Sequence, residues 1–411
     1  MTVEVVVTGV GAISAIGDDA AASHDALVAG RCGIQVRPGT DVAGARPTLQ
    51  AAIGDGSAIG ATRLEQRKWD RATAFAMHAA RGAWAMAGAP AVDPERLAVA
   101  VSGAFPGYLS LMRIVEDFAA KGSFALTAAS IPRTMVNAQA VNIAIELGAR
   151  GGSYAPNSAC ASASDAIALG YRLIVSGEAD VVVVGGADAP LHPVMLAGFQ
   201  AMRALSGNIG EPHLASRPLD RRRDGFVMGE GAGVLVLEAL DFARSRQAKP
   251  MAMLRGFGAT SDGHHLVAPH PGGVAASSAM RKALERAGVG RHEVTAISAH
   301  CTGTPVGDAA ESTAITRLFG AHTGGIAVTA TKSAIGHTIG ASGALAAVLA
   351  CCGLQERVVA PVLGFHESDP GVELDIVHGS PRYLSVDRKQ VSLVNAFGFG
   401  GQNVSLCFSE P

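Results

Sequence analysis

The chain has 411 residues, enough for one large domain or two fused ones, with 48% hydrophobic and 17% charged residues and 51 glycines. A formal net charge of -2 gives no overall attraction to nucleic acid. The composition predicts a large buried core with many tight turns and close backbone approaches.

No run reaches the roughly 18 to 20 continuous apolar residues of a membrane span. Residues Met1–Gly9 lack the basic start of a secretory signal and read as a first strand. The six cysteines (Cys32, Cys160, Cys301, Cys351, Cys352 and Cys407) form neither a CxxC pair nor metal-ligand spacing. That argues against zinc and against a disulfide framework, and the expected setting is a reducing cytoplasm.

Short β-branched runs alternate with longer helical ones, so the predicted class is α/β. Val3–Val7 reads as a buried strand. Asp70–Ala87 is alanine-rich and helical, with Gly88 and Pro90 as stop signals. Leu97–Ser102 is a strand, Ala161–Ser176 a helix ended by Gly177, and Asp180–Val184 a strand. The mixed-sign stretch Arg217–Gly225 is expected to be a surface turn. The segments Val3–Ser14 and Met253–Ser261 each read as a strand entering a glycine-bearing turn that ends in Ala-x-Ser. The likeness fits an internal duplication and chance equally well. If it is a duplication, two α/β halves, 1–250 and 251–411, meet with a site at their junction.

The chemistry centres on Cys160, in Asn157–Ser164, where a loop turns into a helix and small residues leave the sulfur approachable. A thiolate is the reactive form, and the unpaired N–H groups of a helix start favour it. The competing reading is a buried structural cysteine, a common fate of a free thiol and the one expected for Cys32, Cys351, Cys352 and Cys407. His300 follows the apparent strand Val294–Ser298, at the strand end where α/β sites lie. His337 sits between a Lys-Ser-Ala-Ile-Gly turn and a helix near Ala341–Cys352. With 13 histidines in the chain, neither position is decisive alone. Lys332 reads either as a solvated lysine or as a charge that organises the site with Glu311 as partner.

Together these segments resemble the β-ketoacyl-acyl-carrier-protein synthases, with matching blocks from Val5–Gly11 through Arg217–Asp220 and Arg223–Gly233 to Asn395–Asn403. The resemblance implies a thiolase-like fold of two duplicated α/β halves in a five-layered αβαβα core. It implies decarboxylative Claisen condensation of malonyl-carrier protein with an acyl chain on Cys160, without a cofactor or metal. His300 and His337 would hold the malonyl thioester carbonyl, and Lys332 with Glu311 would organise the site. The backbone N–H groups of Cys160 and Phe399 would form the oxyanion hole, with Phe399 as a gate between glycines. Thr302 and Thr304 would bind the phosphopantetheine arm, and Arg67, Lys68 and Arg203 the acyl carrier protein. The second partner would be another copy or a chain-length factor.

Two departures stand out. Cys301 occupies a position usually held by glycine, where a larger side chain is expected to narrow the malonyl side. Ala346, nine residues after His337, stands where the family usually has glutamate, which suggests a specialised substrate. The stretch Gly186–Leu191 resembles ketosynthase subunits of type II polyketide synthases, whereas Thr302–Asp308 is closer to the fatty-acid enzymes. The alternative is a non-catalytic, chain-length-factor-like dimer partner.

Overall fold

The computed structural model describes residues 3–38, 47–54 and 60–411, and an 11-stranded sheet runs through its centre. One half contributes β1 (Val5–Ile13), β2 (Leu97–Val101), β3 (Ser153–Tyr154), β4 (Val181–Asp188) and β5 (Gly231–Ala239). The other contributes β6 (Ala252–Ser261), β7 (Ala296–Ser298), β8 (Ala327–Thr329), β9 (Asp375–Ile376), β10 (Val391–Gly398) and β11 (Gln402–Ser409). The spatial order is β9-β8-β7-β10-β11-β6-β1-β5-β4-β2-β3. From β1 outward the pairings are antiparallel, antiparallel, parallel, parallel. From β6 outward the same succession recurs, with β9 added in parallel at the edge. The halves join where Val5–Val7 pairs with Ala252–Leu254.

The first strand does not turn at its glycines, as expected from sequence, but continues through Gly9 and Gly11 to Ile13; β6 does the same through Gly256 and Gly258. The glycines are there because a helix backbone lies on each strand. A Cβ on Gly11 would stand 1.9 Å from the Ala79 carbonyl oxygen, and one on Gly258 would stand 1.9 Å from that of Ala279. Ala79 belongs to α1 (Arg71–Met86); after α2 (Tyr108–Lys121), α3 (Ala138–Leu147) and α4 (Ser162–Val175), Ala279 belongs to the equivalent α5 (Val274–Ala287). One glycine–alanine contact thus occurs twice, which decides the duplication that the sequence left open.

Gly11→Ala or Gly258→Ala must push strand and helix apart, and each is expected to cost about 3 kcal/mol, the upper range for overpacking. Gly82→Ala on α1, whose Cβ would meet its nearest neighbour at 3.8 Å, should instead stabilise by up to about 1 kcal/mol through helix propensity. Urea unfolding of the three variants checks the contrast.

Three apolar cores lie between the layers. Phe75, Met77 and Ile143 of α1 and α3 pack on Val99, Val181 and Val183. Val182 and Val184, pointing the other way on the same strand, join the middle core with Ile167 and Ile174 of α4, which also reaches Leu406 and Phe408 of the second half. After α6 (Pro305–Phe319) and the single turn α7 (Lys332–Ile335), α8 (Ser342–Glu356) shares that middle layer through Leu345 and Val348. Met280, Leu284 and Ile315 of α5 and α6 cover the far side on Ile297, Val328 and Leu393. The result is the five-layered αβαβα arrangement. Among the described residues, one helical segment, 339–356, is long and apolar enough to cross a bilayer, and 78% of it is buried inside the protein.

The charged stretch 217–225 is only in part a surface turn: Arg221, Arg222 and Asp224 are exposed, while Asp220 and Arg223 are buried. Asp220 is fully buried and accepts the backbone N–H groups of His366 and Glu367. Arg223 reaches Asp308 and Asp369. Asp220 and Arg223 thus tie the first half to the second, since a charge without partners is costly to bury.

Candidate active site

Two turns of the same build enter one cavity. Before α4, Ala159 takes a left-handed φ of 52° and Cys160 follows it; before α8, Ile339 takes a φ of 50° and Gly340 follows. Non-glycine residues pay for that conformation in strain, so both turns are held by a serine. Ser162 Oγ accepts the Ser158 N–H and donates to the Ala159 carbonyl. Ser342 Oγ bonds Thr338 Oγ1 and His337 Nδ1. The cavity, of about 420 Å³, is lined by Cys160, His300, His337, Thr302, Thr304 and Phe399 among others.

Cys160 stands at the helix start as expected, but its titration runs against the expectation. Burial pushes the thiol up to about 11, opposed by the Lys332 charge and by the N–H groups of Phe399 and Cys160 itself; the Asp188 carboxylate adds to the rise. Loss of water outweighs the helix start, so the sulfur holds its proton near neutral pH. The same two N–H groups mark the place where a carbonyl oxygen of a Cys160-bound group would find donors.

The imidazoles of His300 and His337 lie 5.5 Å apart at 85°. Burial, then the positive charge of Lys332, holds both well below the usual range, so both are neutral. Phe226 packs edge-on against His337, and Phe397 is tilted against His300. His337 spends Nδ1 on Ser342 Oγ at 2.9 Å, and His300 Nδ1 is buried without a partner. In each ring Nε2 is the nitrogen left to serve the cavity.

Lys332 is 2% exposed and lies behind the cavity wall rather than in it. It forms no contact ion pair with Glu311; it acts on Cys160 and both histidines through space. The expected Lys332–Glu311 pairing is therefore corrected to a longer-range attraction. The Glu311 carboxylate instead accepts the backbone N–H groups of His300 (3.0 Å) and Cys301 (2.7 Å), the Asn395 amide (3.0 Å) and the Cys301 thiol (3.2 Å).

Residues 2–243 match the family described as beta-ketoacyl synthase, N-terminal domain, and residues 251–366 match the corresponding C-terminal domain. The chain belongs to the β-ketoacyl synthase family. It is 38% identical over 350 residues to 3-oxoacyl-[acyl-carrier-protein] synthase 2 of Mycobacterium tuberculosis, covering 85% of this chain and 83% of the relative. The solved ishigamide ketosynthase/chain length factor matches at a TM-score of 0.88 and 30% identity, over 100% of both chains. A beta-ketoacyl synthase from Burkholderia phymatum matches at 0.87 and 33%, also over 100% of both.

The synthase places its remaining predicted residues unevenly. Thr302 and Thr304 line the cavity with their hydroxyls 3.1 Å apart, and the Thr302 N–H is held by Asp308. Arg203 is exposed at the cavity. Arg67 and Lys68, also exposed, end a short helix, Arg63–Lys68, outside the cavity lining. Cys301 does not narrow the malonyl side: its thiol turns into the outer core toward Glu311 and lines no part of the cavity. Ala346 packs in the middle apolar layer, likewise off the cavity. Among the described residues no cluster with metal-ligand spacing lies at the cavity; His24, Asp25 and Glu356 form one elsewhere.

Three site residues escaped sequence reasoning. Asp188, fully buried and pushed up by burial to about 7, accepts the N–H groups of Ala104, Phe105 and Gly340, pinning the α8 turn beside the Cys160 turn. Asp262 and Asn403 hold the Phe399 loop. Asn403 donates to Asp262 and to the Gly401 carbonyl, Gly401 accepts the Asp262 N–H, and the Gly400 N–H donates to Leu266. Asn403 stands in the C-terminal glycine motif, and that placement was the available signal.

Proposed function

We propose that this synthase joins an acyl chain held on Cys160 to a malonyl unit on acyl carrier protein, in fatty acid or type II polyketide biosynthesis. The observation that carries the reading is one cavity shared by a buried thiol, two neutral imidazoles and two backbone N–H groups at the sulfur. Acylation replaces the Cys160 S–H proton with the acyl carbonyl; the departing pantetheine sulfur takes up that proton, with a neutral histidine in reach to carry it. The malonyl thioester then loses CO₂. The electron pair of the broken C–C bond becomes an enolate, and Nε2–H donors of His300 and His337 stabilise its oxygen. The enolate carbon attacks the Cys160 thioester, whose oxygen meets the N–H groups of Cys160 and Phe399. The tetrahedral intermediate collapses by expelling the Cys160 sulfur.

In this reading Phe399 gates the sulfur. Its freedom comes from Gly400 and Gly401, both at left-handed φ. Thr302 and Thr304 offer hydroxyls to the pantetheine arm, and Arg203, Arg67 and Lys68 offer charge to the acidic carrier. The substrates bring their own activated carbonyls, so the reaction calls for no resident cofactor. Six free cysteines, one of them the nucleophile, suit a reducing cytoplasm.

A homologous second chain, either another copy or a chain-length factor, fits the surface of α2 and the segment after it. There Val115, Phe118, Phe124, Ile131 and Val136 are all more than half exposed. The resemblance to the ishigamide ketosynthase/chain length factor supports such a pairing. The thiol in the cavity favours the catalytic reading over that of an inactive partner. The purified chain, with acyl-carrier protein and malonyl-carrier protein, should yield β-ketoacyl-carrier protein by mass spectrometry, alone or once a chain-length factor is added. No product under either condition would overturn the proposal.

A further inference from the structure

A carboxylate has about four acceptor positions. In Glu311 all four are taken: Oε1 by the His300 N–H and the Asn395 amide, Oε2 by the Cys301 N–H and the Cys301 S–H. Three of these donors come from the backbone or from a buried asparagine. The fourth exists because residue 301 carries a thiol. Lys332, buried and without a contact ion pair to Glu311, is left as a cation whose neighbours are Glu311, Cys301, Cys160 and Asp308.

We infer that Cys301 is a positioning residue: its S–H fills the last acceptor position of Glu311 and so keeps the Lys332 ammonium from being captured there, leaving that charge to act on Cys160 and the two histidines. The inference rests on the proposed role of Cys160 as nucleophile, but its test reads the sulfur's titration and needs no condensation. Without the S–H, Oε2 offers a strong acceptor to the ammonium nearby. An ammonium drawn to Glu311 helps the Cys160 thiolate less. The other groups facing Cys160 are Asp188, which opposes the thiolate, and His300 and His337, both neutral. Arg223 is engaged by Asp369 and Asp308.

The test is the pH dependence of Cys160 alkylation by iodoacetamide in the full chain, read at the Cys160 peptide by mass spectrometry. Cys301→Ala is expected to raise the midpoint by about one pH unit. Cys301→Ser, which restores a donor, should return it to the parent value, and in a Lys332→Met background Cys301→Ala should no longer shift it. Equal midpoints for the parent and a Cys301→Ala variant that melts cooperatively would overturn the inference. So would a shift shared by the serine variant, or one that persists without Lys332. Should Cys301→Ala fail to fold, Cys301→Ser against Cys301→Thr reads the same donor at different volume, and a serine midpoint away from the parent value sinks the idea. Failure of the condensation assay alone, with these shifts present, would count against the proposed function and not against this role.

Discussion

Cys160→Ala is expected to abolish chain elongation outright, because among the described residues no other thiol lines the cavity where the acyl group must wait. Incubated with acyl-carrier protein, the parent chain should gain the mass of one acyl group, lost on hydroxylamine treatment, and the alanine variant should gain none. The other cysteines cannot stand in. Cys301, Cys351 and Cys407 are buried in the cores, off the cavity, with thiols pushed up by burial. Cys32 and Cys352 are only partly buried but also lie off the cavity lining. Acylation found on any of them, or on none, would remove the basis for covalent catalysis here. The variant should fold, since the sulfur's loss leaves the cavity wall of Phe226, Leu196 and Ile339 in place.

The second large effect divides the reaction. His300→Ala and His337→Ala should each slow malonyl decarboxylation by about 10²- to 10³-fold, the usual loss on removing a donor to a developing oxyanion. Acylation of Cys160 should remain measurable in both. His337→Ala carries a second consequence, because Ser342 loses its imidazole partner and the α8 turn loses one of its restraints. His300→Ala frees no bonded side chain, as its Nδ1 has no partner. The His300 variant is therefore the cleaner probe. Release of ¹⁴CO₂ from labelled malonyl-carrier protein measures it, and decarboxylation that survives both changes would mean the histidines do something else.

What the sequence revealed of this site was its reactive groups. Cys160, His300 and His337 stand next to glycines or small residues, and a thiol or imidazole in such a loop has few structural reasons to be there. The supporting residues were hidden because they work through the backbone of distant segments. Asp188 is a carboxylate in a row of small residues until the fold brings Ala104 and Gly340 to it. Glu311 looked like the partner of Lys332, because charge pairing is what a sequence suggests. Its actual partners are amide N–H groups and a thiol, which carry no charge to notice. The glycines at 9, 11, 256 and 258 read as turns, since a chain seen alone cannot show the helix pressed against it. Asp220 and Arg223 read as exposed for the same reason: their partners lie roughly 90 to 150 residues further on.

The middle layer bears on how the chain can come to be folded at all. The α4 helix of the first half also rests on strands of the second, and α8 of the second rests on β5 of the first. Each half thus supplies a helix that covers the other's sheet, as two hands cover each other when clasped. A chain cut near residue 250 would leave two fragments, each with part of its middle-layer face bare and a helix packed on only its own half's strands. During synthesis the first half must emerge and wait, with that face exposed, until residues near 350 leave the ribosome. The duplication that gave the cavity one wall from each copy has removed the independence of the copies, and the two halves are expected to unfold as one cooperative unit.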